Sequence, residues 1–207
     1  MAKVNGPLLS LGARGQLGKA LVFSGWKGLH TVRQHVVPAN PNTSAQATQR
    51  GYLAAAVAAI HAAQIAGSNP FNAVDVAAYA LWANQQATPR TWFNQVCKNW
   101  VDVEVAGDTP TMFRGAVVTP GDTEVALEGY SPEIDGTDIT AGTVFYGTSP
   151  TALINSVAAT ITSGSTKWDK TVTGLSNGTK YYFQFRVDAG ENCEGAMTGI
   201  FSATPAA

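Results

Sequence analysis

His30, His35 and His61 are the only imidazoles in this chain of 207 residues, and Cys97 and Cys193 its only thiols. His30 and His35 lie five apart in a Val- and Thr-containing run that reads as a strand. That spacing sends their side chains to opposite faces and excludes a shared metal site. His61 falls in an alanine-rich stretch with no acid beside it. A Ser-His-Asp arrangement needs a carboxylate, and the first hundred residues offer only Asp75. The two thiols, one in each half, define neither a disulfide framework nor a metal spacing. Gly12, Gly15 and Gly18 mimic a phosphate loop, but they precede a strand instead of following one, and Ser163-Gly-Ser-Thr-Lys167 has a phosphate-loop flavour in composition alone. The pairs Asp135 with Asp138 and Asp122 with Glu124 sit in turn-rich segments. They could meet a surface calcium ion, although solvated loop charge is the favoured reading. The expectation is a non-enzyme with no catalytic residue, cofactor or metal.

Charge is distributed unevenly. Residues 1–100 hold eight Lys/Arg and one acid, whereas residues 101–207 hold five Lys/Arg and thirteen Asp/Glu, so a net charge of −1 hides halves of +7 and −8. The basic set Lys3, Arg14, Lys19, Lys27, Arg33 and Arg50, with Trp26 among them, could follow a nucleic-acid backbone. Six charges over fifty residues is a low density for that task, and nucleic acid is not expected as a partner. Pairing with acids on another subunit, such as the acidic half of a neighbouring copy, fits better. The first fifteen residues lack the apolar core of a signal peptide, which points to synthesis in a cytoplasm, and no membrane span is expected.

The elements that must position these residues fall into three parts. Residues 1–42 read as an extended arm and hairpin. Glycines at 6, 12, 15 and 18 predict an irregular start, and Lys19–Ser24 and Leu29–Val37 predict two strands around Gly25-Trp26-Lys27-Gly28. Neither face of the second strand is cleanly apolar, and an isolated hairpin is marginal in water. After the Pro38-Ala-Asn-Pro41 break, residues 43–105 read as a small helical domain. Thr43 with Gln46 forms a capping-box pattern, Asn72 can cap a second helix to about Gln86, and Thr88 before Pro89 predicts the start of a third. In that third helix Trp92, Val96 and Trp100 make one stripe, flanked by Phe93 and Cys97. From about Val101 the character turns to β, and residues 106–207 carry the strand and turn spacing of an antiparallel sandwich. The predicted class is α+β.

Two resemblances sharpen this reading. The run Thr173-Gly-Leu-Ser-Asn-Gly-Thr-Lys-Tyr-Tyr-Phe-Gln-Phe-Arg-Val187, closed by Ser202-Ala-Thr-Pro205, resembles the late strands of fibronectin type III domains. That resemblance implies core or corner roles for Trp168, Leu175 and Tyr182 and a spacer or adhesive module without chemistry. Further upstream stand Leu21-Val-Phe-Ser-Gly-Trp26-Lys27-Gly28, Val32-Arg33, Pro38-Ala-Asn40-Pro41-Asn-Thr43, then Gln46 and Arg50. This pattern resembles the N-terminal signature of structural proteins of tailed-phage and prophage particles, several of which end in an immunoglobulin-like or fibronectin-like sandwich. It implies a virion component of head or tail, for instance a decoration protein, made in the host cytoplasm and joined to copies of itself and to other virion proteins.

On this reading Trp26, Lys27, Arg33, Pro38, Pro41 and Arg50 are the expected contact residues, because Trp and Arg anchors dominate interface energetics. The alternative is a module that binds host-surface carbohydrate or protein through the sandwich, for which Tyr130, Tyr146 and Trp168 would have to form an exposed aromatic patch.

Overall fold

The computed structural model describes residues 15–27, 29–37, 42–134, 138–162 and 164–206. It divides into two compact units, Met1–Thr43 and Ser44–Ala207. Among the described residues are three helices and three antiparallel sheets, which makes the protein α+β as expected.

The first unit is a meander of β1 (Gly15–Leu17), β2 (Leu21–Trp26) and β3 (Leu29–Gln34). The irregular start expected up to residue 18 therefore includes a strand. Gly18 and Lys19, both at positive φ, turn the chain back, and Ala20 N donates to Leu17 O at 3.0 Å. Trp26 pairs with Leu29, so the two strands run further toward their turn than expected, with Lys27 at φ 48°.

In the second unit the helices are α1 (Ser44–Gln64), α2 (Ala73–Asn84) and α3 (Trp92–Ala106). Asn72 caps α2 as expected. Its Oδ1 accepts from Val74 N and Asp75 N, and Asp75 Oδ2 accepts from Asn72 N in return. The third helix starts later than the Thr88-Pro89 pair predicts. Thr91 keeps an extended backbone and its hydroxyl accepts from Asn94 N, so the first turn forms at Trp92. The same helix runs on through Val101, where β structure was expected, and stops at Gly107, whose φ of 98° suits the left-handed cap.

Two four-stranded sheets follow. One has the order β4-β5-β9-β8, from β4 (Arg114–Gly121), β5 (Glu124–Tyr130), β8 (Thr160–Ile161) and β9 (Lys167–Thr173). The other has the order β11-β10-β6-β7, from β6 (Gly142–Gly147), β7 (Asn155–Ala158), β10 (Tyr181–Val187) and β11 (Phe201–Ala203). Between them Trp168 stacks on Phe185 with ring centroids 4.4 Å apart, and Phe113 meets Phe185 edge-on at 5.3 Å. Two glycines make room for this pair. A Cβ at Gly142 would lie 2.4 Å from the Phe185 ring, and one at Gly129 would lie 2.7 Å from Trp168 Nε1.

The helices share residues with the sandwich. Ala78 of α2 and Val103 of α3 belong to the sandwich core, while Met112, just before β4, belongs to the helical core with Ile60, Phe71, Tyr79 and Val96. Helix α2 packs on both β4 and β11, the end strands of the two sheets. Ile200 N donates to Ala78 O at 3.0 Å, and Gly199 lies so close that a Cβ there would sit 2.4 Å from Ala78 C and Tyr79 N. Both obstacles are backbone and cannot swing aside. Gly199→Ala should therefore lower stability by about 1–3 kcal/mol, measured as a drop in the urea midpoint without a change in m-value. An unchanged midpoint would show that α2 can move off the strand at little cost.

Candidate functional site

The first unit brings three strands together in a register that sorts their side chains. Pairing of Gln16 with Val22, Val22 with Arg33 and Ser24 with Thr31 places these residues on one face. Ser24 Oγ and Thr31 Oγ1 are 2.8 Å apart there. Pairing of Leu17 with Leu21 and of Phe23 with Val32 puts four apolar side chains on the other face. The mixed character read from the second strand holds, since Gln34 pairs with Leu21 on the same face, but β1 adds Leu17 and makes this the more apolar of the two faces.

None of these four apolar side chains is buried. Leu17 is 40% exposed, Leu21 38% and Val32 57%, and Phe23 is half-buried. A sheet needs a layer against its apolar face to gain from folding. Among the described residues of this unit no second layer exists, and no described side chain of the unit is buried.

The predicted contact residues are not gathered on that face. Lys27 stands exposed at the turn, and Arg33 is exposed on the polar face opposite the apolar four. The backbone of Trp26 closes the β2–β3 ladder against Leu29. Arg50 is exposed in the first half of α1, in the other unit. Pro38 and Pro41 lie outside the described residues. The alternating pair Leu21 and Phe23 is visible in the sequence, but Leu17 is hidden in a glycine-rich segment too short to announce a strand.

Asp75 proved more important than its sequence context suggested. It is 2% exposed at the start of α2 and reaches forward forty residues to the first strand of the sandwich. Its Oδ2 accepts from Gly115 N at 2.8 Å and its Oδ1 from Ala116 N at 3.2 Å, in addition to the Asn72 N–H. Asn72 Nδ2 donates to Ala116 O at 3.1 Å, so the helix cap and β4 are joined through both side chains. Gly115 has φ 63°, and a Cβ there would lie 2.7 Å from that of Asn69. Only glycine lets the strand come this near.

The groups that could do chemistry are separate. His61 is exposed on α1, and His35 is half-buried at the end of the meander. Several acids staple loops: Asp122 accepts from Asn177 Nδ2 at 2.7 Å, Asp138 from Asn192 Nδ2 at 3.1 Å, and Glu191 from Thr140 N and Oγ1. Asp135 lies outside the described residues. Among the described residues no group of three or more His, Cys, Asp and Glu could hold a metal, and no helix is long and apolar enough to cross a membrane. Cys97 and Cys193 are buried free thiols. Burial raises both, and Cys193 is pushed up to about 12 with help from Glu133, Asp138, Glu191 and Asp108, so neither is a ready thiolate at neutral pH.

In the sandwich, Trp168 and Leu175 are buried as the resemblance implied. The tyrosine that bonds back to the preceding turn is not Tyr182. Tyr182 is half-buried with Lys180 Nζ 5.5 Å from its ring centroid, while the neighbouring Tyr181 Oη accepts from Ser176 N at 3.2 Å. Alternation explains the shift by one: Phe183 and Phe185 face inward, and Tyr181 shares their side of β10.

Fold and site together define an α+β protein with an antiparallel sandwich bound to a helical layer and a separate amphipathic three-stranded sheet. No protein-family model matches the chain, and no curated protein matches it in sequence.

Burial holds the Asp75 carboxyl above its ordinary value of 3.8, against the pull of the N–H groups of Asn72, Ala116 and Gly115. The folded state thus keeps this proton to higher pH than the unfolded chain does. The contribution of Asp75 to stability is largest below 3.8 and declines as pH rises through the folded value. Asp75→Asn presents an amide N–H2 to backbone donors and should cost about 1–3 kcal/mol. Urea titrations should show the wild-type advantage over the variant shrinking as pH rises from the acid side, and an advantage that grows with pH would contradict the burial argument.

Proposed function

We propose that this chain is a non-enzymatic structural component of a tailed-phage particle. It assembles in several copies through residues of roughly 1–105 and displays its β-sandwich outward. The observation that carries the reading is the apolar set Leu17, Leu21, Phe23 and Val32, which shares one face and has no second layer among the described residues of its unit. A small sheet with such a face recovers the entropy of ordering only when another surface covers it, and a neighbouring copy or another virion protein supplies that surface. The N-terminal signature of Trp26-Lys27-Gly28 to Arg50 supports the phage setting, and the charge split supports electrostatic pairing between subunits. The particle is then where the mature protein resides, after synthesis in the host cytoplasm.

The sandwich reads as fibronectin III- or immunoglobulin-like. Lettered in chain order from A, with β7 as an extra strand after C, its sheets run A-B-E-D and G-F-C-C′, the division such folds use. The Tyr181 contact to Ser176 at the start of strand F supports the same assignment. Of the three aromatics that would have favoured the adhesin alternative, Trp168 is in the core, Tyr146 packs on Phe183 at 6.1 Å and Tyr130 is half-buried, so they form no exposed patch together.

Deleting residues 1–36 should leave a cooperatively melting protein that no longer enters particles; normal incorporation would sink the proposal. Single Leu17→Ser and Val32→Ser substitutions should each weaken self-association or incorporation roughly tenfold, as expected for about 1.4 kcal/mol of lost apolar burial. Raising ionic strength from about 0.05 to 0.5 M should loosen the assembly if the charge split contributes.

A further inference from the structure

Arg186 presents an imbalance that the assembly role does not use. It lies on the outer face of β10, half-buried, and among the described residues it forms no ion pair. Asp188, the next residue along that face, is engaged by Thr143 Oγ1 at 2.7 Å. Removing a guanidinium from water without a carboxylate is unfavourable, and burial here lowers the Arg186 pKa.

Even so, the side chain is firmly oriented. Its Nε donates to Gln184 Oε1 at 3.1 Å, and its guanidinium carbon lies 4.6 Å from the Phe145 ring centroid. Gln184 is itself only 1% exposed and is fixed by donating Nε2 to Thr198 O at 2.8 Å. A buried amide thus holds one edge of the fork and an aromatic ring supports its plane. The terminal Nη groups have no partner among the described residues.

These groups border a cavity of about 220 Å³ between the C-terminal end of α2, the outer face of the sheet and the 150–153 turn. Trp82, Gln85 and Gln86 form the helical wall. Gln86 Nε2 is used on Trp82 O, which leaves its carbonyl oxygen available, and the Gln85 amide has no partner among the described residues. The Trp82 ring, with Pro150, Leu153 and Ile200, offers an apolar surface beside the glutamines, Thr151 and Arg186.

We propose that this cavity binds a carboxylated sugar, a uronic acid unit of an anionic polysaccharide. The oriented guanidinium takes the carboxylate as a fork, the glutamine amides take ring hydroxyls, and Trp82 packs against the C–H face of the pyranose. The volume suits one sugar ring better than an extended peptide, and the amides of Gln85 and Gln86 with one cation match a ligand carrying hydroxyls and a single negative charge. This site is independent of the assembly reading and lies away from Tyr130 and Trp168.

The test is calorimetric titration of the full chain with a galacturonate oligosaccharide and with the neutral galactose oligosaccharide of the same length. Saturable binding of the first, at least tenfold weaker binding of the second, and a loss of at least tenfold in Arg186→Gln are expected. Arg186→Lys, which keeps the charge but not the fork, should lose several-fold. Gln85→Ala, a change at the helix end, should weaken binding with an unchanged melting temperature. Equal affinity for the two sugars, no saturable binding, or an unaltered Arg186→Gln variant would each overturn the proposal. So would a sedimentation profile that Arg186→Gln shifts while galacturonate fails to bind, since the guanidinium would then be answering an acid on a second copy.

Discussion

The second unit depends on one buried carboxylate. Asp75 collects backbone N–H groups from its own helix cap and from Gly115 and Ala116 of β4, and it does so almost without solvent. Bonds of this kind are strong where the dielectric is low, and costly to leave half-made. Because Asn72 adds a bond to Ala116 O, α2 cannot leave β4 without exposing both ends of the network. The glycine at 115 and the close approach at Gly199 follow from that placement: helix and strands meet at backbone contact, where no side chain fits.

From this joint the rest of the unit can be followed outward. Tyr79, buried one turn beyond Asp75, carries the helical core to Phe71 and Trp92, with centroids 5.9 Å apart in the first pair and 5.4 Å in the second. Ala78, on the other side of α2, enters the sandwich core. The helix is thus apolar on two sides, and its mean composition of alanine with few large residues allows both partners to come near. At its far end the same helix forms one wall of the cavity beside Arg186.

Much of this was legible locally, and the failures have physical causes. The Asn72 and Asp75 cap is written within four residues, so it could be read; the bonds from Asp75 to Gly115 and Ala116 span forty residues and could not. Trp168 and Leu175 announced themselves through strand composition and a turn, yet it is Tyr181 that accepts from Ser176 N, because one residue of register decides which of two adjacent tyrosines faces inward. Pro89 suggested a helix start that the Thr91 hydroxyl sets three residues later. In the first unit Gly15-Gln-Leu17 carries too few residues for a periodic signal, and without it the apolar face of the meander is incomplete. Of the expected contact residues, Arg33 stands on the face opposite Leu17, Leu21, Phe23 and Val32, a sorting that only the three-strand register reveals.

The position of α2 across β4 and β11 bears on how this sandwich could have travelled between proteins. Domains of this architecture are commonly exchanged as cassettes, cut at the two termini and pasted elsewhere. Here the cassette is not closed at those points: a piece beginning near residue 110 would leave behind Asp75, Ala78 and Tyr79 and expose Gly115, Gly199 and Ile200 with nothing to meet them. The piece that keeps these contacts together is helix plus sandwich, and a cut within residues 72–114 would sever them.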